Sequence, residues 1–305
     1  MRLVTRSDFD GLVCGMLLKE EDLIDDVQFV HPKDLQDGLF KAEANDVLCN
    51  VPYVAGCGMW FDHHTSEQNR VGWTQDVPGI SKLAPSCARI VYEYYGGDKK
   101  FPKFNDIIVA VDKVDSGQLE IEDIRNPQGW VLIGFLSDPR TGLGRFRNFR
   151  ISNYNLMLEF INHLRSTPLD EILKHPDVKE RIELYNEQTE LFVAMAKQHS
   201  RTDGNVLITD LRGVETIYAS NRFTIYAMYP EQNISLWITD GKAKQNVAIA
   251  CGYSVLNRSC KADVGALMLR FGNGGGHKQV GTCQVPYDDA DKIIGQIVNE
   301  LKNLG

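Results

Sequence analysis

The stretch Met59-Trp60-Phe61-Asp62-His63-His64 constrains this chain more than any other. Apolar and aromatic residues that run straight into an acid and two imidazoles read as a buried strand delivering polar side chains at its carboxyl end. Asp and His are rarely buried unless paired or bound to a metal, so a purely structural use of the triplet needs a dense hydrogen-bond network. Carboxylate and imidazole together are the ligand types of divalent-cation sites, and that is the expected use here.

The same pattern occurs upstream. Arg2 to Thr5 is a short apolar run, followed by Arg6-Ser7-Asp8-Phe9-Asp10-Gly11 and then by Leu12, Val13, Met16 and Leu17 at helical spacing. One aspartate would satisfy a helix cap; a second, two residues on, is available to a metal. Val27 to Val30 and Asp46 to Val51 read as further strands, the latter carrying Asn50. Strands alternating with helices predict an α/β fold with a parallel sheet, whose strand ends bring Asp8, Asp10, Asn50, Asp62 and His63 to one crevice. Asp112 interrupts the apolar segment Phe104 to Val114; it is a candidate ligand, with a structural ion pair as the alternative.

Arg140, Arg145, Arg147 and Arg150 are interleaved with Phe146 and Phe149, which suits either phosphate contacts with base stacking or a loop anchored by its aromatics. Helical stripes follow, and from about 200 the pattern changes to short β-type runs at Val206–Thr209, Thr216–Tyr218, Ile234–Ile238 and Val247–Ala250. The expected domains are 1–199, ending in a connector helix, and 200–305. Near the end, Gly274-Gly275-Gly276-His277-Lys278 reads as a glycine-rich turn whose N–H groups face an anion.

Composition narrows the function. At 305 residues the chain is long enough for two cores, and 43% hydrophobic with 24% charged residues is ordinary for a globular protein. A net charge of -8 argues against nonspecific coating of nucleic acid but leaves room for a small anion in a local basic pocket. No apolar run reaches the roughly 20 residues of a membrane span, and no signal-peptide pattern opens the chain, so a cytoplasmic location without membrane contact is expected. Seven scattered cysteines without a C-x-x-C pair read as reduced thiols.

Taken together, the motifs resemble the DHH superfamily of phosphoesterases with a C-terminal domain of the DHHA1 type. Asp8-Phe9-Asp10-Gly11 resembles its first motif and Asp62-His63-His64 its signature. Asp112 in Ala-Val-Asp-Lys-Val-Asp-Ser-Gly resembles the fourth motif, and Gly274-Gly275-Gly276-His277 the DHHA1 signature. Ser254-Val-Leu-Asn-Arg258 is similar to an arginine-bearing strand that holds substrate phosphate. The resemblance implies a metal-dependent hydrolase of phosphoanhydride or phosphodiester bonds, acting on polyphosphate or a short oligonucleotide. It implies metal ligands at Asp10, Asn50, Asp62, His63 and Asp112, catalytic roles for Asp8, His64 and Arg6, and substrate contacts from Arg258, Gly274, Gly275, Gly276, His277 and Lys278. Catalytic and substrate-holding residues would then lie on different domains.

Two positions depart from the family pattern. Arg6 stands where most members carry a His or Asp, and Asn50 where an Asp usually bridges two metals. The expectation is one divalent cation, Mn²⁺ before Fe²⁺ or Co²⁺, with the Arg6 guanidinium as a permanent charge in place of the second. A phosphate-binding protein that has lost catalysis is the competing reading. A homodimer is among the assemblies the sequence leaves open.

Overall fold

The apolar runs of the first half form short strands: β1 (Arg2–Thr5), β2 (Asp26–Phe29), β3 (Asp46–Cys49), β4 (Met59–Asp62) and β5 (Gly79–Ser81). Helices α1 (Phe9–Glu20), α2 (Pro32–Gln36), α3 (Thr65–Val71) and α4 (Cys87–Tyr94) follow β1, β2, β4 and β5. The computed structural model describes residues 1–72 and 76–304. All five strands pair in parallel, in the order β2-β1-β3-β4-β5. Leu3, Val4, Val47 and Leu48 have no exposed surface, as expected for parallel strands covered on both faces. From β1 the chain moves to β2 on one side and then to β3 on the other. The order therefore reverses between β1 and β3, which is where open α/β sheets place their ligand crevice.

Helices α5 (Asn105–Asp115), α6 (Ile121–Arg125), α7 (Gly129–Ser137), α8 (Asn153–Ser166), α9 (Leu169–Lys174) and α10 (Pro176–His199) complete the middle of the chain. The basic stretch 138–150 is anchored as a loop rather than laid open as a groove. Arg140 is gripped by Asp138, and Arg150 is bound by the buried Asp177. The buried Arg181 guanidinium lies 3.9 Å from the centre of the Phe149 ring and donates to the carbonyls of Ile151 and Asp177.

Residues divide into two compact units, Met1–Gln118 with Asn126–Tyr185, and Leu119–Arg125 with Asn186–Gly305. The division falls inside α10, earlier than the expected boundary at 199/200. The second unit also takes in α6, because Arg125 donates to the Ala227 carbonyl and Asn221 to that of Ile124.

The second unit contains β6 (Ser200–Asp203), β7 (Val206–Asp210), α11 (Thr224–Met228), β8 (Ile234–Asp240) and β9 (Val247–Tyr253). It continues with α12 (Val264–Phe271), β10 (Asn273–His277), β11 (Val280–Val285) and α13 (Tyr287–Leu304). The strand order is β10-β11-β9-β8-β7-β6, antiparallel except for β7 with β8. Alternate residues of β8 and β9 face a core shared with α12 and α13. Thr216–Tyr218, expected as a strand, lies in a loop; β7 before it already has β6 and β8 on its two edges. Among the described residues no helix is long and apolar enough to cross a membrane.

The Arg181 clasp carries a stability prediction. Arg181→Ala leaves two carbonyls and a neighbouring carboxylate without their donor, and is expected to lower unfolding free energy by roughly 2–4 kcal/mol in urea titrations. Arg145→Ala, on the exposed part of the same stretch, is expected to change it by less than about 0.5 kcal/mol.

Candidate functional site

Asp8 is the N-cap of α1, its Oδ1 accepting from Gly11 N at 3.1 Å. The turn is tight enough that a Cβ on Gly11 would stand 2.2 Å from the Arg6 carbonyl oxygen, so glycine is required there. The same Oδ1 accepts from Asn50 Nδ2 at 3.0 Å, and Arg6 Nε lies 3.1 Å from Oδ2. Asn50 adopts a left-handed φ of 57° at the end of β3, a conformation Asn tolerates better than most residues. It thereby ties β3 to the loop after β1 across the reversal point of the sheet.

Asp10 is in the first turn of α1 and has 1% of its surface exposed. Its two oxygens accept from the first amides of α4: Cys87 N at 2.9 Å and Ala88 N at 2.7 Å. His63 Nε2 is 3.6 Å from Asp10 and 3.4 Å from Asp115. Asp10, His63 and Asp115 offer ligand atoms within 4.8 Å of one another. His63 Nδ1 lies 3.2 Å from the Ala84 carbonyl, so this nitrogen carries the proton and Nε2 is turned to the two carboxylates.

Three observations fit a divalent cation at this point. His63 Nε2 is buried without a hydrogen-bond partner, although two carboxylates face it. Burial pushes the Asp10 carboxyl well up and the Asp115 charge adds to it, with His63 offsetting them only in part. Burial opposes charge on His63, but Asp10 and Asp115 outweigh it and hold its pKa up at about 9.

The structure separates the expected ligands. Asp112 does not join Asp10 and His63. Its carboxylate takes Arg89 at 2.6 and 2.8 Å and the Ser86 hydroxyl at 2.7 Å, which is the structural ion pair named as the alternative, and Asp115, one turn later, faces the cluster. Asp62 is fully buried and bound to His64, Oδ1 at 2.8 Å from Nδ1 and Oδ2 accepting from its backbone N at 3.3 Å. It orients His64 rather than completing the cluster. Asn50 is committed to Asp8 through its amide nitrogen, while its Oδ1 is buried without a partner.

Sequence reasoning missed Asp115 because residues three apart on a helix share a face, and periodicity does not choose between 112 and 115. It also did not connect Arg140 with this site. Burial works against the Arg140 charge, but Asp138 and then Asp8 and Asp115 outweigh it and strengthen its hold on the proton.

In the second unit the glycines are not a turn. Gly274 to Gly276 form β10, an edge strand paired with β11, and the turn falls at Lys278 and Gln279. Two of them are packed too closely for a side chain: a Cβ on Gly274 would stand 2.4 Å from the Thr282 carbonyl oxygen and one on Gly276 2.2 Å from that of Val280, while one on Gly265 of α12 would stand 2.7 Å from Gly276 itself. His277 and Lys278 are exposed, and so is Arg258, which lies in the turn after β9 rather than on a strand.

Neither a protein-family model nor a curated protein matches the chain. Solved structures do. A pGpG-specific phosphodiesterase, PggH, of Vibrio cholerae is 47% identical over 100% of this chain and 99% of its own, with a TM-score of 0.88. An exopolyphosphatase-related protein of Bacteroides fragilis shares the fold at 12% identity, covering 99% of this chain and 92% of its own, TM-score 0.52. RecJ of Thermus thermophilus, in complex with Mn²⁺, does so at 13% identity over 100% of this chain and 52% of its own, TM-score 0.52.

Asp115→Asn should weaken Mn²⁺ binding about tenfold or more by calorimetry. Asp112→Asn should leave that affinity within a few-fold and lower stability by about 1–3 kcal/mol, through its loss to Ser86 and Arg89. A proton on His63 competes with the cation, so affinity should fall as pH drops below about 9. For the metal-free protein the sign is opposite. A folded-state pKa of about 9 against the ordinary 6.5 contributes stability that is fully present below 6.5 and lost as pH rises through 9, readable as a falling urea midpoint.

Proposed function

Because the chain belongs to the DHH superfamily of phosphoesterases, a hydrolase family, we propose that its substrate is a short linear dinucleotide of the pGpG type, cleaved with the help of one Mn²⁺ ion. The full-length 47% likeness to a pGpG-specific phosphodiesterase carries the substrate class. The more distant relatives share only the fold, so polyphosphate has no comparable support. The same likeness favours the enzyme over a binding protein that has lost catalysis.

Asp10, His63 and Asp115 would hold the cation, and imidazole beside carboxylates favours Mn²⁺ over Mg²⁺. When bound, such an ion polarises a phosphoryl oxygen and lowers the pKa of a bound water enough for attack on phosphorus near neutral pH. The rest falls to side chains. Asp8, which would otherwise face a second ion, is already compensated by the Arg6 guanidinium and the Asn50 amide. That supports a count of one. Arg6 and Arg140 place two permanent charges beside these carboxylates, available to phosphoryl oxygens that gain charge in the transition state.

Asp62 fixes His64 with Nδ1 inward, which leaves Nε2 of this half-exposed ring to give a proton to the departing oxygen. Asp8 is the candidate to align the attacking water. Arg258, Gly274, Gly275, Gly276, His277 and Lys278 are the candidate phosphate contacts of the second unit. Seven buried free thiols fit residence in the reducing cytoplasm.

With Mn²⁺, kcat/KM for pGpG should exceed that for polyphosphate or pyrophosphate by about a hundredfold or more. Arg6→Gln should lower kcat by about 10²–10³ while metal content stays at one ion per chain. Two tightly held ions in the wild-type protein would overturn the single-ion reading, and equal rates on polyphosphate the substrate.

A further inference from the structure

Immediately behind Asp10 lie three thiols for which the hydrolysis has no use. Cys14 comes from the interior of α1, Cys49 ends β3 and Cys87 opens α4, and none has any exposed surface. Their sulfurs stand within 4.8 Å of one another. The other cysteines are elsewhere: Cys57 packs beside Trp60, and Cys251, Cys260 and Cys283 belong to the core of the second unit.

We propose that Cys14, Cys49 and Cys87 form a second cation site, selective for a soft monovalent ion of the Cu(I) class, and that filling it disturbs the hard-cation centre through α4. Metal–sulfur bonds of about 2.3 Å place the sulfurs of a trigonal site about 4 Å apart, so a triangle no wider than 4.8 Å closes on the ion with sub-ångström side-chain shifts. Thiolates select soft ions, and three of them with no fourth donor suit Cu(I) better than the four-coordinate Zn²⁺. The nearest oxygen is the Phe61 carbonyl, 3.2 Å from Cys87 Sγ and already accepting from Asn50 N; Asp10 Oδ1, 4.0 Å from Cys14 Sγ, is already accepting from Ala88 N.

Binding involves no change of oxidation state. Each thiol gives its proton to solvent as its sulfur bonds to copper, so one Cu(I) displaces three protons and leaves a tris-thiolate of net charge minus two. The link to the other centre is covalent and short. Cys87 contributes its sulfur to the soft site and its backbone N–H to Asp10 Oδ2 at 2.9 Å, so a displacement of that residue moves the carboxylate.

The site itself is independent of the proposed reaction, whereas its effect on hydrolysis rests on that reading. The test titrates the full-length, metal-depleted chain with Cu(I), without oxygen and against a competing chelator. One Cu(I) per chain and a thiolate-to-copper charge-transfer band in the near ultraviolet are expected. Both should be lost in Cys49→Ala and kept in Cys57→Ala; Cys14→Ser repeats the test should Cys49→Ala not fold. Equal binding by wild type and both triad variants, or no band, overturns the site. In the Mn²⁺-loaded enzyme one equivalent of Cu(I) should cut pGpG hydrolysis at least tenfold in wild type but not in Cys49→Ala. Unchanged hydrolysis at full copper occupancy overturns the coupling. Failure of the whole preparation to cleave pGpG would instead count against the proposed substrate, because the band is read without it.

Discussion

The burial of one carboxylate, Asp10, governs the first unit. An unpaired carboxylate so placed costs several kcal/mol, and the fold answers with two amides from the start of α4, the end of a helix that carries partial positive charge. The position of α4 is in turn fixed by its cap. The Ser86 hydroxyl accepts from Arg89 N and donates to Asp112, and Arg89 closes on the other oxygen of the same acid. Asp112 thus bears on the site without touching it, because it holds the helix that holds Asp10. The arrangement leaves Asp10 short of positive charge on the side of His63 and Asp115, which is where a cation fits.

Much of this was legible because parallel-sheet topology converts strand ends into neighbours. Asp8, Asp10, Asn50, Asp62 and His63 end or follow β1, β3 and β4, and the reversal between β1 and β3 makes their convergence a matter of geometry. What each polar group does on arrival was not legible. Asp62 and His63 are adjacent in sequence, yet one is spent on His64 and the other faces Asp10, because successive strand-end residues point in different directions. The choice between Asp112 and Asp115 turned on Arg89, whose side chain reaches across from another helix and leaves no trace in local periodicity.

In the second unit, the β-runs at Val206–Thr209, Ile234–Ile238 and Val247–Ala250 were readable, and the glycine run has a property that it uses differently. Gly274 to Gly276 were expected to present amides in a turn, whereas they lie in an edge strand, where Gly276 lets Gly265 of α12 come close. A helix as long as α10 is continuous in sequence, and only the bonds from α6 to the 221–227 segment reveal where one core stops and the next begins.

The Arg6–Asp8–Asn50 group has a consequence for life under scarcity. A guanidinium is tethered to its chain, so no chelator removes it and no shortage dilutes it. Metal scarcity therefore leaves the loop after β1 with a fixed positive charge against Asp8 that ion supply does not set.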